Sequence, residues 1–185
     1  MIKKVCIVTT SEEFFFIPSF LQYCTELKKI DIEIVFIPGF LNIKKFFYFI
    51  LLLNFNEIIE IIYFKLFKNS IDYKCKIYHF KSINQDDFHN FIKRKKFDLI
   101  VSYNCNQIFS TKTLKKINSD IVNFHPGLLP KYKGLFTNFY SLMNKENYIG
   151  ITFHLVEKKI DSGKIIKRFK IKVEKNDTIF TLYKK

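Results

Sequence analysis

Asn123 and His125 are two polar side chains at the end of an apolar run, Ile121-Val122-Asn123-Phe124-His125. Alternate residues of an extended segment share a face, so the i, i+2 spacing sends both to one side. An amide donates hydrogen bonds without changing charge, and an imidazole can also exchange a proton near neutral pH. Together they suit a reaction in which an oxyanion forms and a proton moves. The backbone just beyond is heavily specified. Pro126 and Pro130 fix the chain, and Gly127 and Gly134 permit tight turns or close approach. Downstream, Gly150-Ile151-Thr152-Phe153-His154 leads to Asp161-Ser162-Gly163, adding a second imidazole and a carboxylate. A lone His at a strand end is usually structural, and Asp-Ser-Gly is common turn chemistry. The combination is what points to a site.

The elements that must position these groups follow from periodicity. Strand patterns are expected over 2–10, 32–38, 76–80, 97–103, 121–125, 150–157 and 164–173. Helical patterns cover 14–29, with Pro18 in the first turn, 83–96, with Phe88 and Phe91–Ile92 on one face, and 135–143. Residues 40–68 are a long apolar stretch that reads as one or two helices. Strand and helix alternate through the first 105 or so residues, which implies right-handed βαβ crossovers and a parallel sheet. The fold class is therefore α/β, with helices on both faces of a mostly parallel sheet. Such sheets bind ligands at the carboxyl ends of their strands, where Asn123 and His125 lie. A length of 185 residues suits a single domain, 1–185.

Composition narrows the function classes. Thirty-one Lys and Arg against 17 Asp and Glu give +14, a balance that favours acidic partners. The basic residues are spread along the chain without a nucleic-acid motif, so nucleic acid is not the expected partner. Cys6, Cys24, Cys75 and Cys105 have irregular spacing and no CxxC, which argues against zinc or a disulfide framework and for buried free thiols. No metal is expected. Residues 46–53, FFYFILLL, fall well short of the roughly 18 apolar residues a spanning helix needs. Residues 2–8 read as a first strand rather than a signal peptide. The expected location is the cytoplasm.

The segment NFHPGLLPKYKG (123–134), followed by GITFH (150–154) and IDSGKII (160–166), resembles the folate-dependent formyltransferases. These act on glycinamide ribonucleotide, methionyl-tRNA or nucleotide sugars. The resemblance is strong over about 97–173 and only fold-like over 1–96. It implies a Rossmann-like formyltransferase fold and 10-formyltetrahydrofolate as formyl donor. It implies that Asn123, His125 and Asp161 are catalytic and that His154 lies near that centre. By the same likeness, Asn106, Gln107, Ile108 and Phe109 at a strand end, and the loop Val156, Glu157, Lys158, Lys159 and Ile160, hold the pterin, largely through backbone groups.

The acceptor that the resemblance implies is a primary amine. The position after the first strand reads Thr9-Thr10-Ser11-Glu12-Glu13-Phe14, without the glycines that would cradle a phosphate in the purine-synthesis members. Lys133-Gly134-Leu135-Phe136 departs from the methionyl-tRNA type and resembles the members found with surface-polysaccharide genes. An amino sugar on a nucleotide or lipid carrier is the leading acceptor. The alternatives are glycinamide ribonucleotide, methionyl-tRNA, or a non-catalytic remnant that keeps the folate pocket. The family continues after the last strand with a substantial helix, which here begins at Asp177-Thr178 and is expected to be truncated. The stretch 40–68 has Lys44 and Lys45 before its apolar centre and Lys65 and Lys68 after it. It is expected to be a crossover helix on the sheet, with peripheral membrane contact as the rival.

Overall fold

The structure is a computed structural model and describes residues 2–11, 16–39, 53–67 and 73–185. Its strands are β1 (Lys4–Thr10), β2 (Asp31–Ile37), β3 (Lys76–His79), β4 (Leu99–Tyr103), β5 (Asp120–His125), β6 (Tyr148–Leu155) and β7 (Ile165–Lys172). The helices are α1 (Phe16–Thr25), α2 (Phe55–Phe67), α3 (Asp86–Lys95), α4 (Thr111–Lys116), α5 (Thr137–Met143) and α6 (Ile179–Lys184).

One sheet holds all seven strands in the order β3-β2-β1-β4-β5-β6-β7. The first five are parallel, while β5–β6 and β6–β7 are antiparallel. β1 is buried along nearly its whole length, as its continuous apolar run requires for a strand covered on both sides. One face carries Cys6, Val8, Val35, Phe88, Phe91, Ile100, Phe109 and Ile121. The other carries Val5, Ile7, Ile34 and Tyr103 under Ile17, Leu21 and Cys24 of α1. β2 and β4 flank β1 on opposite sides, so strand order reverses there. That reversal opens the crevice in which folds of this kind bind ligands.

The helix ends follow their chemistry. α3 has Asp86 and Asp87 in its first turn and Lys93, Arg94 and Lys95 in its last, which matches the helix dipole at both ends. Asn54 and Glu57 form a reciprocal capping box at the start of α2, with Asn54 N–H to Glu57 Oε2 at 2.8 Å and Glu57 N–H to Asn54 Oδ1 at 3.0 Å. Glu57 is buried and also accepts the Thr178 hydroxyl, while Lys184 pairs with Glu60. These contacts dock α2 onto α6.

One helix goes beyond the sequence expectations. α4 carries no strong apolar period and was not anticipated; Ser110 caps it by accepting Thr113 N–H at 3.1 Å. In the stretch 40–68, residues 40–52 and 68 lie outside the described residues. The described part contains α2, whose Phe55, Ile59 and Ile62 are exposed. No described helix is long and apolar enough to cross a membrane. The helix expected after Asp177 forms over Ile179–Lys184.

Candidate active site

β5 delivers Asn123 and His125 to the same face of the sheet, and Phe124 to the other. There Phe124 meets Tyr103 and Phe153 edge-on, with ring centroids 5.0 and 4.9 Å away. The antiparallel ladder places His154 directly opposite Asn123 and Thr152 opposite His125. β6 is followed by a turn that brings Asp161 back over the same strand ends.

Asn123, His125 and His154 gather around Asp161. Asn123 Nδ2 lies 3.5 Å from Asp161 Oδ1. His125 Nδ1 lies 3.5 Å from Asp161 Oδ2. His154 Nε2 approaches Oδ1 at 3.4 Å, so the two imidazoles bracket one carboxylate. Gly134 N–H donates to Asp161 Oδ2 at 2.7 Å. That backbone bond ties the Lys133-Gly134 loop to the carboxylate.

Each side chain is held from behind. His125 is buried, and its Nε2 lies 2.7 Å from the Tyr132 carbonyl. A carbonyl only accepts, so Nε2 carries the proton and Nδ1 is the nitrogen that faces Asp161. Thr152, fully buried, donates to the Gly127 carbonyl at 2.6 Å and accepts Leu129 N–H at 3.2 Å, which staples the turn after His125 onto β6. Asp161 itself has φ +47°, a left-handed conformation that Asp and Asn tolerate better than most residues. Gly163 lets this turn close, since a β-carbon there would meet the Leu155 carbonyl oxygen at 1.9 Å.

His154 is set up as a two-way group. Its Nδ1 donates to the Leu155 carbonyl at 2.8 Å. Its Nε2, 3.2 Å from Asn123 Nδ2, can accept the Asn123 amide when unprotonated. When protonated it donates to Asp161 instead, and Asn123 is released. Burial disfavours its charged form. The hydrogen bond and charge of Asp161 and the Leu155 carbonyl outweigh burial, so its pKa lies above the ordinary value. Burial likewise works against the Asp161 carboxylate, but the His154 and Gly134 hydrogen bonds and the two imidazoles bring its pKa below the usual range.

The residues expected to hold the pterin divide. Phe109 puts its ring in the core. Gln107 spends its amide on the chain, accepting Ile83 N–H at 3.0 Å and donating to the Lys81 carbonyl at 3.1 Å. Ile108 is exposed. Asn106 donates to the Pro38 carbonyl at 3.0 Å and leaves Oδ1 buried with no hydrogen-bond partner among the described residues. Val156 joins the core through its side chain and bonds Ile121 O through its N–H at 2.8 Å. Glu157, Lys158, Lys159 and Ile160 are exposed. Among the described residues no group of three or more His, Cys, Asp or Glu is arranged to hold a metal ion. All four cysteines are free thiols. A cavity of about 350 Å³ lined by Thr25, Asp31 and Lys74 opens at the amino ends of the strands, remote from this chemistry.

The backbone contacts that hold the trio, at Tyr132 O and Gly134 N, were not legible from residue types. Thr152 had a signal, since it alternates with His154 on the strand opposite Asn123 and His125.

A family model described as formyl transferase matches residues 60–185. The chain belongs to that family. It is 36% identical over 118 residues to the bifunctional polymyxin resistance protein ArnA of Wigglesworthia glossinidia brevipalpis, covering 64% of this chain and 18% of ArnA. It is 43% identical over 88 residues to methionyl-tRNA formyltransferase of Lactobacillus acidophilus, covering 48% of this chain and 28% of that protein. It is 31% identical over 100 residues to GDP-perosamine N-formyltransferase of Brucella melitensis, covering 54% and 39%. This formyl transferase chain thus spans less than two fifths of the length of these curated relatives, 18%, 28% and 39%. Among solved structures, a sugar N-formyltransferase from Shewanella superposes with a TM-score of 0.61 at 21% identity, covering 98% of this chain and 62% of that one. Phosphoribosylglycinamide formyltransferase from Anaplasma phagocytophilum superposes with 0.69 at 17% identity, covering 100% and 79%. At such identities these likenesses establish the formyl transferase fold.

Proposed function

We propose that this domain transfers the formyl group of 10-formyltetrahydrofolate to a primary amine carried by an amino sugar. The observation that carries the reading is the approach of Asn123 and of His125 to the Asp161 carboxylate, each at 3.5 Å. The amine nitrogen attacks the formyl carbon, and a tetrahedral oxyanion forms. Asn123 donates its amide hydrogens to that oxygen, and protonated His125 stabilises it too. The bond from carbon to the folate nitrogen then breaks, and His125 supplies the proton that nitrogen needs. Because Nε2 is committed to Tyr132 O, the proton leaves from Nδ1, on the Asp161 side. Asp161 accepts the proton that the attacking amine loses. The donor lies along Gln107–Phe109 and Val156–Ile160, where the buried Asn106 Oδ1 would gain a partner.

The amino-sugar acceptor is supported by the named sugar formyltransferases among the similar proteins and by the surface beside Gly134. Leu135, Phe136 and Tyr140 are all exposed there, and Phe136 holds φ +58°. Aromatic faces of this kind suit a sugar ring or nucleotide base. The runner-up acceptors are methionyl-tRNA and glycinamide ribonucleotide. A second reading concerns the carrier: the exposed stripe Phe55, Ile59 and Ile62 on α2 favours a lipid-linked acceptor met at a membrane surface.

The test supplies 10-formyltetrahydrofolate with a nucleotide-linked amino sugar, with methionyl-tRNA and with glycinamide ribonucleotide, and follows release of tetrahydrofolate. Turnover is expected with the amino sugar. Release with none of the three, while the folate still binds, would leave only the non-catalytic folate-binding reading.

A further inference from the structure

β4 ends at Tyr103, and the chain runs without regular structure from Asn104 to Ser110 before α4 begins. This loop includes Gln107 and Ile108. No strand neighbour sets its shape. It is tied to Thr10 through Asn104, to Pro38 through Asn106, and most often to the segment 81–84, through Gln107 and Asn84.

Asn84 turns both ends of its amide to the loop and the start of α4. Nδ2 donates to Ile108 O at 2.9 Å. Oδ1 accepts Ser110 N–H at 2.8 Å and the Thr113 hydroxyl at 2.7 Å. One side chain therefore grips the loop on both sides of Phe109, much as a neighbouring strand would. Thr113 is fully buried, and its single proton goes to Asn84. Its oxygen can then only accept, from Ser110 Oγ at 2.9 Å and from His89 Nε2 at 2.9 Å. His89 is buried on α3, with Nδ1 3.2 Å from Asp86 Oδ1. Lys116, at 2.6 Å, and His89 together hold the Asp86 carboxyl down to about 2. Gln107 makes the matching tie at the other end, to Ile83 and Lys81.

A simpler role for Asn84 would be to cap α3. It does not: Gln85 is the capping residue, and no side chain makes the cap hydrogen bond. Asn84 precedes the helix and turns to the loop instead.

We infer that Asn84, with Thr113 and His89 behind it, is a positioning residue that sets how Gln107 and Ile108 present their backbone to the pterin of the formyl donor. The inference rests on the reading above in which this loop holds the donor. These residues touch neither Asn123 nor Asp161, so they act on donor affinity and not on the chemical step.

The experiment compares the full chain with Asn84→Ala, Thr113→Val, Thr113→Ser, His89→Gln and His89→Leu. Binding of 5-formyltetrahydrofolate, an unreactive stand-in for the donor, is measured by calorimetry, and the KM values for donor and amine are measured separately. Asn84→Ala, Thr113→Val and His89→Leu are expected to weaken folate binding and raise donor KM by about tenfold. Amine KM and kcat should stay within about twofold. Thr113→Ser and His89→Gln, which keep the needed hydroxyl and N–H, should retain folate binding. If Asn84→Ala and Thr113→Val melt at a lower temperature yet bind folate like the parent, the residues are merely structural and the inference falls. If Asn84→Ala fails to fold, the Thr113 and His89 pairs decide the matter. Absence of folate binding by the parent chain would overturn the donor assignment, and this inference with it.

Discussion

A β-carbon placed on Gly127 would lie 2.7 Å from Nε2 of His125 and 2.9 Å from the Tyr132 carbonyl that this nitrogen bonds. Gly127 is thus the floor under the imidazole, and its lack of a side chain sets where the ring can sit. Gly127→Ala should push the ring off Tyr132 and turn Nδ1 away from Asp161. Overpacking of this kind typically costs about 1–3 kcal/mol of stability. A misplacement of about 1 Å at a reacting group can cost about 10²-fold in rate. Thermal melting and steady-state turnover of the same sample separate the two effects.

His125→Ala and Asn123→Ala should each lower kcat by about 10² or more while the fold survives. Asp161→Asn is the informative third member. Asn tolerates the left-handed backbone at this position and can still accept Gly134 N–H, so the turn should persist without its charge. Near-normal turnover in any of the three would refute the assigned roles.

The charge pair between His154 and Asp161 gives a pH signature. The pKa of His154 is raised on folding, so its contribution to stability is full below its ordinary value of 6.5 and is lost as pH rises through the folded value. The pKa of Asp161 is lowered, so its contribution is present above 3.8 and is lost as pH falls through the folded value. The melting-temperature gap between the parent and His154→Gln should therefore be widest between those limits and narrow on both sides. A gap that widens steadily toward alkaline pH would show that His154 is not charged in the folded chain.

For α2, co-sedimentation with strongly anionic vesicles at low salt measures surface binding. The exposed Ile59 and Ile62 should contribute, so the double change Ile59→Ser, Ile62→Ser should weaken sedimentation. A parent protein that stays in the supernatant would remove the lipid-linked carrier and favour a soluble nucleotide sugar.

Much of this architecture was legible in the residues. The alternating strand and helix signals of the first half gave the parallel order, because buried parallel strands read as continuous apolar runs. Asn123, His125, His154 and Asp161 were found through spacing and motif, and the geometry brings them together. What stayed hidden was whatever depends on backbone atoms or on distant partners. Nothing in the type of Tyr132 says that its carbonyl anchors an imidazole. His89 belongs to no motif, and its partner Thr113 lies 24 positions away, so the sequence gives no signal of the pair. The short α4 was missed because six residues carry too little periodicity to register.

The ladder between β5 and β6 has a further effect. Asn123 faces His154 and His125 faces Thr152, while Phe124 and Phe153 pair on the opposite side. A slip of one residue would turn β6 over, placing Phe153 where the imidazole belongs and sending His154 into the aromatic layer. Such a misaligned strand pair would still be collapsed and rich in β-structure, and spectroscopy of the backbone would hardly notice it. Formyl transfer would. Specific activity per folded molecule therefore serves as a reporter of whether these two strands have found their true alignment.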